Sequence, residues 1–199
     1  MKNITSFCAI MIVICSIIFS CKFDKQISTE EIETLRIEYD SLLTAADSAW
    51  YHMMADDDEK IFYMKRLLQE VSYTYMYDSV VYAGLMSRVE ELEKIRYTRE
   101  SMKDGNLIDK YDNLTGEVIH EVIRFASSHP NYANYPLMGE LIMEINEMDG
   151  EVLLYRVNYD SAAHAYNQFL DKHASNMDTI VPEGGYAKLA MFAIIEEAA

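Results

Sequence analysis

Apolar side chains recur at alternating steps of three and four residues along most of this chain, and no proline interrupts them before Pro130. That spacing gathers apolar groups on one face of a 3.6-residue helix, whereas a half-buried strand needs strict alternation. The chain is therefore expected to fold as long amphipathic helices. The first seam runs Ile32, Leu35, Tyr39, Leu42, Ala46, Ala49 and Met53 in a heptad pattern. Ser28-Thr29 precede it, followed by Glu30 and Glu31. A hydroxyl there can cap free N–H groups, and the two carboxylates face the positive end of the helix dipole.

The run Asp56-Asp57-Asp58-Glu59 interrupts that seam. A second series follows through Ile61, Met64, Leu68, Val71, Tyr75, Asp78, Tyr82, Leu85, Val89 and Leu92, in a shifted phase. The shift predicts a break or kink at the acidic run. A straight rod from Thr29 to Arg99 would be about 105 Å long with little to cover it. Lys103-Asp104-Gly105-Asn106 marks a turn, and a third helix carries Leu107, Tyr111, Leu114, Val118, Val122 and Phe125 on one face. It is expected to stop at His129-Pro130, because proline disfavours helical geometry in the residue before it. Pro136 suits the first turn of a fourth helix, whose seam is Leu141, Ile145, Met148, Val152, Tyr155, Tyr159, Ala162, Tyr166 and Phe169. These elements predict an all-α fold, an up-and-down four-helix bundle. After a turn at Pro182-Glu183-Gly184-Gly185, the apolar segment from Leu189 to Ile195 is expected to dock on it.

The N-terminus has a different character. Lys2 precedes an almost unbroken apolar stretch from Phe7 to Phe19, the order of an export signal. About 13 helical residues span only some 20 Å against roughly 30 Å of hydrocarbon, so a cleaved leader fits better than a lasting span. The stretch closes with Ile18-Phe19-Ser20-Cys21, which resembles the bacterial lipobox. The expected organisation is a lipoprotein signal peptide over 1–20, a lipidated tether over 21–29 and a helical domain over 30–199. A diglyceride on Cys21 plus an amide-linked chain would meet the two-signal requirement for stable membrane anchoring. Lys22 rather than aspartate follows the cysteine, which favours the outer membrane where the cell has one.

Cys8 and Cys15 would leave with the leader, so the domain has no thiol pair and must rest on a packed core. The formal net charge is −16, and losing Lys2 makes it one unit more negative. Nucleic acid is excluded as a partner, since binding it requires lysine or arginine on the phosphates. The expected partners are the membrane, through the lipid, and an envelope protein.

A resemblance appears in the last long helix and the loop before it. Glu144-Ile145, Gly150, Val152, Arg156, Tyr159-Asp160, Ala163 and Tyr166-Asn167 resemble the closing signature of the LemA family, and Pro130-Asn131-Tyr132-Ala133-Asn134 is similar to its proline-bearing loop. Ala49-Trp50 and Leu67-Leu68-Gln69-Glu70-Val71 are similar to its earlier segments. The chain departs from the pattern at Lys65, Arg66, Gly150 and Asp160. The resemblance implies a four-helix, envelope-facing domain behind a hydrophobic anchor, and it implies no reaction.

Constellations that carry chemistry are sparse. Glu117-Val-Ile-His120 has the Glu-x-x-His spacing of di-iron bundles, but it occurs once where such a site needs two copies, so no metal or other cofactor is expected. The run Asp56 to Glu59 lacks the ligand alternation of a calcium loop and is expected to be solvated. The tyrosines offer more: Tyr75, Tyr82, Tyr155, Tyr159 and Tyr166 lie on two predicted helices and form a candidate groove for a peptide or small ligand. Internal hydrogen bonding, with Asp78, Asp160 or Asn167 as acceptors, is the competing reading. Arg156 is expected to pair with Glu147 or Glu151, or to contact an anion. Function is thus expected to be non-enzymatic, either an interaction scaffold or a ligand-binding lipoprotein.

Replacing Cys21 by alanine is expected to release the protein from membranes. Mass spectrometry of the membrane-bound protein should find acyl chains on Cys21 and no residues 1–20.

Overall fold

The Ser28 hydroxyl accepts a hydrogen bond from Glu31 N at 3.2 Å, and from this cap the first helix, α1, runs over Thr29–Ser72. The computed structural model describes residues 27–192, and every regular element among them is helical: α2 (Ser79–Ile95), α3 (Gly105–Ser127), α4 (Pro136–Lys172), the single turn α5 (Met177–Ile180) and three short 3₁₀ turns. The leader, Cys21 and Lys22 lie outside the described residues, as do residues 193–199. No described helix is long and apolar enough to cross a membrane.

Helix α1 passes through Asp56–Glu59 without interruption, so the break expected there does not occur. Asp57 and Lys60 turn inward and are buried against charged partners from other elements, so the acidic run does not leave the helix. The change of phase records a change of neighbours. Around Tyr39 the helix packs on α4 and α5, whereas Ile61 to Val71 share a core with α2, α3 and α4. The break falls instead at 73–78, inside the second seam, whose spacing shows the polar Asp78 as its sole interruption. Met76 has a left-handed φ of 71°. Asp78, placed by its spacing within a seam, is the cap of α2 and accepts hydrogen bonds from Val80 N and Val81 N at 2.9 and 3.0 Å.

The remaining boundaries follow local chemistry. Asp104 caps α3, the helix closes at Ser127 ahead of Pro130, and Pro136 is the first residue of α4, where a missing N–H costs nothing.

At 44 residues α1 is roughly 66 Å long, and it is not a bare rod. Helix α4 runs antiparallel along it, as the pairs Tyr39 with Tyr166, Trp50 with Tyr159 and Lys60 with Asp149 show. Helices α2 and α3 are shorter and cover the later half of α1. The other end of the α1–α4 pair forms a second apolar cluster of Tyr39, Tyr166, Phe169, Leu170, Met177 and Ile180.

The C-terminal segment docks as expected, as far as it is described. Gly184 and Gly185, at φ 69° and 82°, reverse the chain in a geometry that glycine alone adopts without strain. The strap that follows is held by side chains of α4. Asn167 bonds both the N–H and the carbonyl of Leu189 at 2.8 and 2.9 Å, Asp160 accepts from Phe192 N at 2.8 Å, and Tyr159 donates to Ala190 O at 2.9 Å.

Tyr159 is fully buried and packs edge-on to Trp50 and Phe192. Tyr159→Ala should cost about 3–5 kcal/mol of stability through the cavity and the lost strap bond. The exposed His120→Ala should stay within roughly 0.5 kcal/mol of the parent. Denaturant unfolding followed by circular dichroism measures both.

Candidate functional site: a polar cleft between α1, α3 and α4

Met53, Asp57, Lys60 and Met64 follow one another at helical spacing, so two charged residues occupy a face of α1 that is otherwise apolar. Asp57 is 8% and Lys60 2% exposed. Charges so placed are tolerated only when paired. The Lys60 ammonium lies 3.5 Å from Asp57 Oδ1 and 3.6 Å from Asp149 Oδ1 of α4. Asp57 Oδ2 accepts from the Tyr111 hydroxyl of α3 and from Arg96 Nη1, the latter at 3.3 Å. Arg96, just past the end of α2, also reaches Asp58. The carboxylate of Asp57 thus binds groups from α3 and the α2–α3 connection, and Lys60 links it to α4.

A second cluster faces the first. Arg156 of α4 forks onto Asp112 of α3 with bonds of 2.8 and 2.7 Å, and donates to the Tyr97 hydroxyl at 3.2 Å. Its guanidinium lies 4.8 Å from the centre of the Phe192 ring. Pairing with Glu147 or Glu151, as the sequence suggested, does not occur. At about 100° per residue those positions lie roughly 180° and 140° around the helix from Arg156. Asp112 comes from a neighbouring helix.

Between the clusters lies a cleft of about 170 Å³. Met53, Met54 and Val152 form its apolar wall, and Asp56, Asp149 and Tyr155 stand at its more exposed edge. Thr115, 4% exposed, also lines it. Its Oγ1 is buried beside the Tyr111 phenol and makes no hydrogen bond of normal geometry.

The cleft perturbs its titratable groups. Partial burial pushes the Asp56 carboxyl up to about 6; Lys60 opposes that rise, while Glu151, Asp57 and Glu59 add to it. Burial, and then the Asp57 charge, holds the Tyr111 phenol far above its ordinary range. Burial alone would lower Arg156, but its bond to Asp112 and the contact with Tyr97 hold it above its ordinary value, so it is charged at any working pH.

The five tyrosines singled out from sequence are not brought into one groove. Tyr75 is 80% exposed in the turn after α1. Tyr82 is half-buried on α2 against Tyr77. Both belong to the far end of α1, and the stretch from Asp56 to Ser72 alone rises roughly 24 Å. Tyr159 and Tyr166 are core residues whose hydroxyls are used internally, the latter by donating to Tyr39 Oη at 3.3 Å. Tyr155 alone of the five lines the cleft. Glu117 and His120 are exposed on α3, and Glu117 lies 3.2 Å from Arg88.

Most of the cleft's polar residues escaped the sequence reading. The readable signal was the phase of Asp57 and Lys60, which stand four residues after Met53 and four before Met64. The partners of these two charges are scattered over more than 90 positions of sequence, from Asp57 to Asp149, and no spacing rule connects them. Against family models, curated proteins and solved structures alike, the chain has no match.

A carboxyl raised in the fold binds more protons in the native state than in the unfolded chain between about 4 and 6, so its contribution to stability falls as pH rises through that window. Asp56→Asn should therefore melt above the parent at pH 7.5, and the difference should vanish below pH 4. Thermal unfolding across pH measures this, and carboxyl carbon shifts of Asp56 should show a midpoint near 6.

Proposed function

We propose that this chain is a lipid-anchored protein of the bacterial cell envelope whose LemA-like domain binds a small polar ligand without transforming it. In this reading α1 to α4 form the up-and-down four-helix bundle, Cys21 carries the anchor, and Lys22 directs the protein to the outer membrane where there is one. The observation that carries the binding role is the cleft: two buried charges of α1, Asp57 and Lys60, and the charged side chains of Asp112, Asp149 and Arg156 from α3 and α4 surround a void. A closed bundle fills such a position with apolar side chains, since a partly satisfied polar network is costlier than an apolar core. The cleft of about 170 Å³ is smaller than the roughly 300 Å³ at which pockets for drug-sized ligands begin, which favours a small molecule over a peptide. Binding rather than catalysis is favoured because the acids and bases that line the cleft pair with one another and Thr115 has no base in hydrogen-bond reach.

A scaffold role has its own observation. Met143, Leu154 and Val157 share the outward face of α4 with Leu153, and all four are more than half exposed. An envelope partner would cover that stripe and leave the cleft unaffected.

Gly116 offers a direct test. It lines the cleft on α3, and a Cβ added there meets nothing within 4 Å. Gly116→Trp should fill the cleft and leave the fold intact. In NMR titrations of the full chain with a library of small polar fragments, the parent should shift resonances of Thr115 and Tyr155 and the variant should not. Equal shifts in both proteins, or none in the parent, would refute the cleft as a binding site.

A further inference from the structure

Helix α4 carries apolar side chains on two opposite faces. Leu141, Ile145, Tyr159 and Ala163 are buried on the inner one. Met143, Gly150, Leu154 and Val157 follow one another at heptad spacing about 170° around the helix from them, with Leu153 beside the row. The four apolar side chains of this outer face are between 56% and 72% exposed. An apolar row left in water contributes nothing to the fold that carries it, since apolar groups stabilise by being buried. Gly150 repeats the point. A Cβ added there meets nothing within 4 Å, so no described neighbour requires a residue that weakens helices at mid-helix, whereas a helix packed on the row can approach its backbone closely.

The charges beside the row indicate what can cover it. Glu140, Glu144, Glu147 and Glu151 form a second exposed row about 80° away, at steps of four, three and four. None of them has a cationic partner among the described residues. No lysine or arginine stands between Arg124 and Arg156, and Arg156 is committed to Asp112. The acidity continues onto α1, where Glu59 acts with Glu144 on the Tyr63 hydroxyl and with Glu151 on Asp56. An antiparallel second copy would set these carboxylates against their own kind, and an anionic lipid surface would meet the same repulsion. A cationic amphipathic helix meets neither obstacle. Its apolar side chains cover the stripe while its lysines or arginines face the glutamates. The stripe from Met143 to Val157 rises about 21 Å, which about four turns of a partner helix match.

Resting on the scaffold reading above and independent of the cleft, we infer that the outer face of α4 is the docking site for a basic amphipathic helix of another protein. The apolar side of that helix lies on Met143, Leu153, Leu154 and Val157, and its cations face the row from Glu140 to Glu151.

The test uses the full chain in neutral detergent and a fluorescent probe helix of about 18 residues, with leucine at its heptad positions and lysine on its flanks. A second probe has glutamate in place of each lysine. Detergent takes up each probe equally beside parent and variants, so the difference between proteins is the readout. The lysine probe is expected to bind the parent and the glutamate probe is not. Leu154→Gln combined with Val157→Gln should weaken the lysine probe about tenfold or more and leave the unfolding transition in place. Glu140→Lys, Glu144→Lys, Glu147→Lys and Glu151→Lys together should lose the lysine probe and gain the glutamate probe, a switch that a merely structural role would not produce. The same charge change at Glu38, Asp40, Glu90 and Glu91, exposed on α1 and α2, should leave the lysine probe within about twofold at physiological salt. Equal losses in the two reversals would reduce the binding to net charge and overturn the inference. It is also overturned if the lysine probe binds the parent no better than the glutamine variant. A photo-crosslinker placed at Leu153 in the native cells then separates the two readings: an adduct with any protein keeps the scaffold, and no adduct removes both.

Discussion

The carboxylate of Asp57 is the group on which the middle of this structure depends. It lies in the interior of α1, yet Lys60, Arg96 and Tyr111 converge on it. Each side of this arrangement needs the other. A buried carboxylate without cations would be neutralised or expelled, and a lysine 2% exposed would lose its charge without carboxylates nearby. Removing one partner of such a set leaves an uncompensated charge and costs about 3–5 kcal/mol. The same ion pairs fix register. Lys60 must sit opposite Asp149 on α4, and Tyr111 of α3 must reach Asp57, which sets how far the helices slide past one another.

The lengths of the helices explain where the polar region lies. Helices α1 and α4 extend well beyond α2 and α3, so the pair is covered by α2 and α3 near one end and by α5 and the C-terminal strap near the other. The cleft lies near Asp57 and Arg156, where the connection from α2 to α3 crosses the pair and Phe192 of the strap meets Tyr97 and Tyr159. Arg156 ties these parts together through Asp112, Tyr97 and the Phe192 ring. Where two covering units meet over a helix pair, apolar side chains do not interdigitate fully, and charged groups with long reach span the space.

The surface and the cleft obey different electrostatics. Outside, acidic residues on solvated helix faces interact weakly and are screened by salt. Inside, fewer charges act at short range, with less water to screen them. The raised carboxyl of Asp56 marks the boundary: partial burial dominates its shift, and Lys60, Asp57, Glu59 and Glu151 all act on it.

Helical periodicity, the cap at Ser28, the proline that opens α4 and the docking of the apolar tail were legible in sequence because each is local: a hydroxyl, a missing N–H or a repeat of three and four acts within a few residues. The end of α1 was misplaced because the turn at 73–78 contains neither glycine nor proline, and its left-handed residue is Met76. The acidic run looked like a solvated break because composition reports charge and says nothing of who neutralises it. The five tyrosines shared a residue type, but their places on the helices send Tyr159 and Tyr166 into the core and Tyr75 into solvent. The sequence by itself determined that this chain is helical and where most of its helices begin. Only the tertiary structure decided that Asp57 and Lys60 are interior and that a cleft opens beside them, because pairing between charges far apart in the chain depends on how whole helices pack.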